Sequence, residues 1–268
     1  MFKSDPALID RRDEQGPFDV IGDVHGCYAE LVELLSALGY TLSQSTTQSL
    51  TITAPKGRRA VFVGDYADRG PDSPAVLRLV MAMLEQRTAL AIPGNHDYKL
   101  WRWLNGRQVT TSHGFETTMR QFESASQSFK RDVAAFLDTI PTYLWLHDGK
   151  LVVSHAGIQE DMIGQADNRT LNHSIYGDTD GKTDSSGLAI RYNWAAAYAG
   201  DPFIVYGHVV VPDVAWVNNT ACIDTACVYG GRLTALRWPE REIVSVPARQ
   251  AYYESRREFG LPPPRPKR

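Results

Sequence analysis

The chain predicts an α/β fold, and three observations carry that prediction. Five short apolar runs punctuate the sequence at residues 18–21, 60–63, 89–92, 151–153 and 203–206. Amphipathic helical stretches separate the first three. Each run breaks into a glycine, proline or serine followed by a residue type that binds metals. Runs this short, several of them rich in Val, Ile and aromatics, read as buried strands. Strand, helix, strand, helix, strand implies parallel pairing with right-handed crossovers, and in such sheets functional groups gather beyond the carboxyl ends of the strands.

Taken in order, residues 1–12 are polar and charged where a secretory signal would place an apolar run, and no later stretch reaches membrane-spanning length. Cytoplasmic residence is the expectation. After the first strand, residues 28–38 place Leu31, Leu34, Leu35 and Leu38 at helical spacing, with Gly39 as the stop. After the second, residues 75–85 put Val76, Leu77, Val80, Met81 and Leu84 on one face, with Ser73 read as the N-cap and Pro74 in the first turn. Residues 115–140 contain a helical insertion whose apolar face is Phe129, Val133, Phe136, Leu137 and Ile140. Residues 158–187, rich in Gly, Asp, Ser and Thr without sustained periodicity, read as a long loop bordering the site. Residues 222–238, with Ile223, Val228, Leu233 and Leu236, read as a hairpin. The expectation is one domain over 1–253 and a disordered tail over 254–268, its end proline-rich and basic.

At 268 residues and 43% hydrophobic composition, the chain can bury one large core. A net charge of -3 gives no basic field able to hold long duplex nucleic acid, so any nucleic-acid substrate would be engaged locally, at an end. The 3 cysteines, Cys27, Cys222 and Cys227, lack C-x-x-C spacing and read as buried, reduced thiols.

The chemistry lies in the breaks. In Gly22-Asp23-Val24-His25-Gly26 the side chains at i and i+2 point the same way in extended chain, so a carboxylate and an imidazole converge. Gly64-Asp65-Tyr66-Ala67-Asp68-Arg69-Gly70 adds a carboxylate able to bridge two cations and a guanidinium suited to a pair of phosphate oxygens. Asn95-His96-Asp97, His155 and His208 follow the third, fourth and fifth runs, so four of the 7 histidines take the same kind of position. Scattered structural histidines would not share one; together they define a site. Nitrogen and oxygen donors without thiolate suit Mn, Fe, Zn or Ni, and the oxygens favour the harder Mn. Two such cations, about 3.5–4 Å apart, activate a shared water and neutralise phosphoryl charge. His96, steadied by Asp97 or Asp68, is placed to protonate a leaving group.

Read together, GDVHG, GDYADRG, GNHD, SHAG and GH resemble the phosphoprotein phosphatase branch of the calcineurin-like metallophosphoesterases. That resemblance implies a central two-sheet β-sandwich flanked by helices, in place of a simple doubly wound sheet. It implies that Asp23 and His25 bind one metal, Asp65 bridges, and Asn95, His155 and His208 hold the second. It further implies His96 as general acid with Asp68 as its partner, and Arg69 as a phosphate contact. A longer similarity, over DVHGCY, DRGPDSPAVLRLVM, KLVVSHAG, RYNWAA and IDTACV, is to the phosphatase domain of bacterial polynucleotide kinase-phosphatase. It adds Asp224 as a support of the site; Arg191, in RYNW, is a second candidate phosphate contact. Val209 stands where relatives commonly carry Thr, and Ala226 where they carry Gly.

The expected activity is hydrolysis of phosphate monoesters with two divalent ions, Mn first, extending to phosphodiesters or 2',3'-cyclic phosphates of nucleotides or RNA ends. The alternatives are a diadenosine tetraphosphatase, a serine/threonine protein phosphatase acting on phosphoprotein, and a metal-stabilised binding module. The chain lacks the SAPNY-like segment of eukaryotic protein phosphatases, and its intact ligand set disfavours the binding module.

Overall fold

A computed structural model describes residues 5–44, 50–185 and 187–266. A short turn α1 (Pro6–Ile9) and β1 (Asp10–Arg11) lead into β2 (Phe18–Ile21), α2 (Tyr28–Leu38), β3 (Thr41–Gln44), β4 (Leu50–Thr53) and β5 (Arg59–Phe62). Next come α3 (Ser73–Glu85), β6 (Ala89–Ala91), α4 (Asn95–Leu104), α5 (Phe115–Glu123) and α6 (Gln127–Thr139). The second half runs β7 (Tyr143–Leu146), β8 (Leu151–Ser154), α7 (Asn168–Tyr176), β9 (Asp178–Thr183), β10 (Ala189–Tyr192), β11 (Phe203–Tyr206), β12 (Ala215–Val217), β13 (Thr220–Cys222), β14 (Arg232–Trp238) and β15 (Glu242–Pro247).

Two sheets form a sandwich, the first ordered β15-β14-β2-β5-β6 and the second β1-β7-β8-β11-β13-β12. As the strand-helix alternation requires, β2, β5 and β6 pair in parallel. Strand alternation builds the layers. Phe18, Val20, Val61 and Val63 of the first sheet meet Leu144, Leu146, Val153, Phe203 and Val205 of the second in one buried core. Ile21 and Phe62 face the other way, against Leu31, Leu34, Leu35 and Leu38 of α2 and the helices beyond it. Trp194 joins Tyr143, Val152, Ile204 and Tyr206 in a third cluster over the second sheet. Each such side chain, fully withdrawn from water, contributes roughly 1.5–3 kcal/mol.

Several local readings change. The N-cap of α3 is Asp72, whose carboxylate accepts from Ala75 N–H at 2.9 Å. Ser73 is instead buried, its hydroxyl 3.2 Å from the Asp68 backbone N–H that it accepts. Residues 158–187 are not one long loop: Asp167 caps the 9-residue α7, and β9 pairs with β10. The helix is too short to print a periodic pattern, and the hairpin is polar and exposed at its tip. Residues 222–238 do not form a hairpin either. β13 and β14 lie in different sheets, and β14 turns back onto β15. Between them the chain crosses the sandwich edge carrying Asp224. The segment expected to be a disordered tail is hydrogen-bonded: Gly260 N–H donates to Val210 O at 2.8 Å, and Asn193 N–H to Pro263 O at 2.9 Å. All three cysteines are free, buried thiols.

Candidate metal centre and its cavity

The carboxyl ends of β2, β5, β6, β8 and β11 deliver Asp23 and His25, Asp65, Asn95 and His96, His155, and His208 to one buried place. The backbone is bent hard to do so: His25, Asp65, Asp68, Arg69 and His208 hold φ of 45°, 52°, 76°, 70° and 67°. Non-glycine residues in the left-handed region persist only where the surroundings enforce it, and they concentrate at functional sites. Two glycines make room for the carboxylates. A Cβ on Gly94 would lie 2.0 Å from Asp65 Oδ1, and one on Gly207 would lie 1.8 Å from Asp23 Oδ1.

Hydrogen bonds fix the donor atoms. His25 Nδ1–H donates to Ala67 O at 2.8 Å, and His155 Nδ1–H to Val63 O at 3.0 Å. Each ring therefore turns an unprotonated Nε2 toward Asp65 Oδ2, at 3.4 and 3.5 Å. His155 Nε2 also lies 3.1 Å from both Asn95 Oδ1 and His208 Nδ1. Nitrogen and oxygen donors converge here within 3.1–3.5 Å of one another while His25 and His155 keep their other ring nitrogen on a carbonyl, a donor set that fits a divalent ion. Asp65, His155 and His208 form one such cluster, and His25, Asp65 and His96 another. Asp23 lies beside them on the side of β2, where its carboxylate accepts from His208 N–H at 3.1 Å. Burial, with Asp224 and Asp65 beside it, pushes Asp23 well above the usual carboxylate range. Burial also raises Asp224, to about 6. Asp65 sits in equally dry surroundings, yet His155, His96 and Arg69 hold it below its ordinary value. Crowded acids of this kind also call for a cation.

Beside the cluster, His96 Nδ1 meets Asp68 Oδ2 at 2.5 Å. Asp97 turns elsewhere, accepting from Tyr66 N–H at 2.9 Å and Gly94 N–H at 2.8 Å, and so clamps the loops that carry Asp65 and Asn95. Thr118 donates its hydroxyl to Asp68 Oδ1 at 2.6 Å and accepts from Asp68 N–H at 2.9 Å. Burial lifts Asp68 to about 7. Burial and the Arg69 guanidinium push His96 well below the usual imidazole value. One proton shared across the 2.5 Å contact satisfies both directions. Arg69 spans the two rings, Nη1 at 2.6 Å from His25 Nε2 and Nη2 at 2.7 Å from His96 Nε2. A cation on His25 Nε2 requires that arm of Arg69 to move, since one lone pair serves one partner.

These groups floor a cavity of about 1190 Å³ whose walls carry Lys99, Arg102, Arg191, Arg256 and Arg257. Arg191 Nη1 reaches 3.5 Å from His208 O, which brings this guanidinium to the rim of the cluster. Sequence reading missed Thr118, which carries no motif and sits in the insertion treated only as packing. It missed Tyr229, whose ring lies 5.5 Å beneath the Arg69 guanidinium. It missed the cavity wall built by residues 253–263.

A β-sandwich with metal-binding side chains massed at the ends of its strands defines a class, and the chain belongs to the calcineurin-like phosphoesterase family, matched over residues 16–240. It is 43% identical to bis(5'-nucleosyl)-tetraphosphatase PrpE (asymmetrical) of Anoxybacillus flavithermus, over 88% of this chain and 96% of that one. It is 46% identical to the protein of the same name from Halalkalibacterium halodurans, over 87% of this chain and 94% of that one. Among solved structures, one described provisionally as a diadenosine tetraphosphatase superimposes with a TM-score of 0.65 at 24% identity, covering 90% of this chain and 97% of that one. A Saccharomyces cerevisiae protein serine/threonine phosphatase gives 0.60 at 14% identity, covering 95% and 87%. These last two establish the fold alone. The sequence relatives carry the name held as an alternative, not that of an RNA-end phosphatase. The chain is a metal-dependent phosphoesterase, and among the described residues no helix is long and apolar enough to cross a membrane.

Proposed function

We propose that this phosphoesterase cleaves dinucleoside tetraphosphates unequally, to a nucleoside triphosphate and a nucleoside monophosphate. One observation carries the reading: relatives bearing that activity in their names align with 43–46% identity over nearly the whole length of both chains. The cavity supports it. Productive ligand pockets run to roughly 300–1,000 Å³, and this one reaches about 1190 Å³. A small phosphomonoester has no use for so large a space, nor for cations as far from the metal centre as Arg102 and Arg257.

Asp23, His25, Asp65, Asn95, His155 and His208 are the proposed holders of two divalent cations, Mn before Fe, Zn or Ni. When bound, the cations supply charge neutralisation at the phosphoryl oxygens and ease deprotonation of the attacking water. Arg69 moves its two Nη arms from the imidazole lone pairs to a pair of phosphoryl oxygens. Asn95 and Arg191 contact the same group, Asn95 through the amide nitrogen that its metal-facing oxygen leaves free. His96 holds its Nδ1 on Asp68 and turns Nε2 to a leaving oxygen, donating a proton where the leaving group is basic enough to need one; Thr118 keeps Asp68 in register. Asp224 supports Asp23 through the turn that ends at Ala226. A substrate of this chemistry belongs to the nucleotide pool, which agrees with cytoplasmic residence.

The test compares kcat/KM for diadenosine tetraphosphate, a 3'-nucleotide, a 2',3'-cyclic nucleotide and a phosphopeptide with saturating Mn. The expected result is a preference of about tenfold or more for the tetraphosphate, with AMP and ATP in equal amounts. Two ADP, or faster cleavage of the cyclic nucleotide or phosphopeptide, overturns the reading.

A further inference from the structure

Residues 252–265 are strapped across the cavity. Tyr252 N–H donates to Val228 O at 2.9 Å, Gly260 N–H to Val210 O at 2.8 Å, and Asn193 N–H to Pro263 O at 2.9 Å. Phe259 packs on Tyr229 with ring centroids 5.7 Å apart. Arg265 Nε donates to Asp178 Oδ2 at 3.1 Å and lays its guanidinium over the Tyr192 ring at 4.3 Å. Between these tethers, Arg257 donates Nη2–H to Ala189 O at 2.7 Å. Ala189 and Arg191 share strand β10, so the bond brings the Arg257 side chain to the edge that presents Arg191.

Arg69, Arg191 and Arg257 thus line one cavity, and among the described residues none of them is in an ion pair. Glu254 and Glu258 line it too, and among the described residues neither forms an ion pair with the three. Arg69 Nε is buried and, among the described residues, has no hydrogen-bond partner. Three guanidiniums that face one cavity outside any ion pair suit an anion, and planar forks of this kind match phosphate oxygens.

We propose that Arg257, carried in by the C-terminal strap, is a binding residue for the phosphoryl groups of a nucleoside polyphosphate that lie beyond the reacting one. This deepens the proposed function and rests on its reading of the cavity as a nucleotide site. The strap is then a wall of that site that measures phosphate-chain length: Arg69 and Arg191 engage the group at the metal centre, and Arg257 engages those further along.

Calorimetry on the Mn-loaded full chain tests this with AMP and with β,γ-methylene-ATP, which differ in two distal phosphates. Wild type is expected to bind the triphosphate analogue more tightly. Arg257→Gln is expected to weaken the analogue by about tenfold or more and AMP by less than about threefold, and Arg257→Lys to recover part of the loss. Arg265→Ala, which frees the strap from Asp178 without touching the cavity, is expected to keep the wild-type ratio of the two affinities. Equal loss for both ligands in Arg257→Gln, no loss for either, or the same change of ratio in Arg265→Ala overturns the assignment. Binding is read without turnover, so failure to cleave diadenosine tetraphosphate bears on the proposed function alone.

Discussion

Asp68→Asn isolates the proton-transfer half of the site. Asp68 is fully buried at φ 76°, a region Asn tolerates, and the amide has nearly the carboxylate's shape. Thr118 can go on donating to Oδ1, which leaves the new Nδ2–H₂ facing His96 Nδ1 across what is now a 2.5 Å contact. Two donors cannot face each other there, so the imidazole must present a lone pair at Nδ1 and its proton at Nε2, and it can no longer become a stabilised imidazolium. General acid catalysis is worth roughly 10²–10⁴-fold, or about 3–5 kcal/mol at 1.36 kcal/mol per decade. That loss applies to a leaving group that needs a proton. An alkoxide does; a phosphate leaving group, with a second pKa of about 6, scarcely does. Steady-state kcat with saturating Mn is therefore expected to fall about 10²-fold or more on glycerol 2-phosphate but less than about tenfold on p-nitrophenyl phosphate and diadenosine tetraphosphate. Thermal unfolding and bound-metal content measured alongside confirm that fold and cations are retained. Equal losses on all three substrates would refute the acid role, as would a lost metal ion, which would make His96 a ligand.

Gly94→Ala is expected to displace the Asp65 carboxylate, since the added methyl would sit 2.0 Å from Oδ1. Metal retained after dialysis should fall with an affinity loss of about 10–100-fold; unchanged metal content counts against Asp65 as the shared ligand. His173 tests pH dependence through a residue outside the proposed ligand set. Burial lowers its pKa to about 4, and among the described residues its Nε2 has no hydrogen-bond partner. The folded value lies below the unfolded value of about 6.5, so its stabilisation is full above that pH and is lost as pH falls toward 4. The loss reaches about 3 kcal/mol. His173→Phe should flatten the urea-unfolding stability curve between pH 7 and 4.5 relative to wild type; parallel curves would exclude it. Ala226 holds φ 67°, and Ala226→Gly should raise stability by about 0.5–1 kcal/mol once the extra freedom of the unfolded glycine is subtracted. A lowered melting temperature would show that the methyl group's packing outweighs its strain.

Much of the candidate site was legible because its proposed ligands follow strand ends. Asp23, Asp65, Asn95, His155 and His208 each close a short apolar run, and the run itself announces the strand. Spacing along the chain did not choose between Asp68 and Asp97 as the partner of His96, since both lie within reach; the family resemblance pointed to Asp68, and the coordinates turn Asp97 toward Tyr66 and Gly94. The N-cap of α3 went to the wrong residue for the same reason. Asp72 and Ser73 are both good caps, and what decides is that Ser73 is drawn inward to the Asp68 loop. Residues 158–187 hid a helix and a hairpin because neither is long enough, or apolar enough on one face, to impose a period.

By itself, then, the sequence determined the alternation of strand and helix, the parallel pairing, and the residue types that would meet at the metals. These depend on periodicity and on short-range geometry, which local chemistry encodes. Tertiary structure alone decided that β13 and β14 belong to opposite sheets, that Thr118 reaches Asp68 from 50 residues away, and that Arg257 comes to lie beside Arg191. Such contacts join distant segments through a shared core and leave no repeating mark along the chain, so they exist only once it has folded.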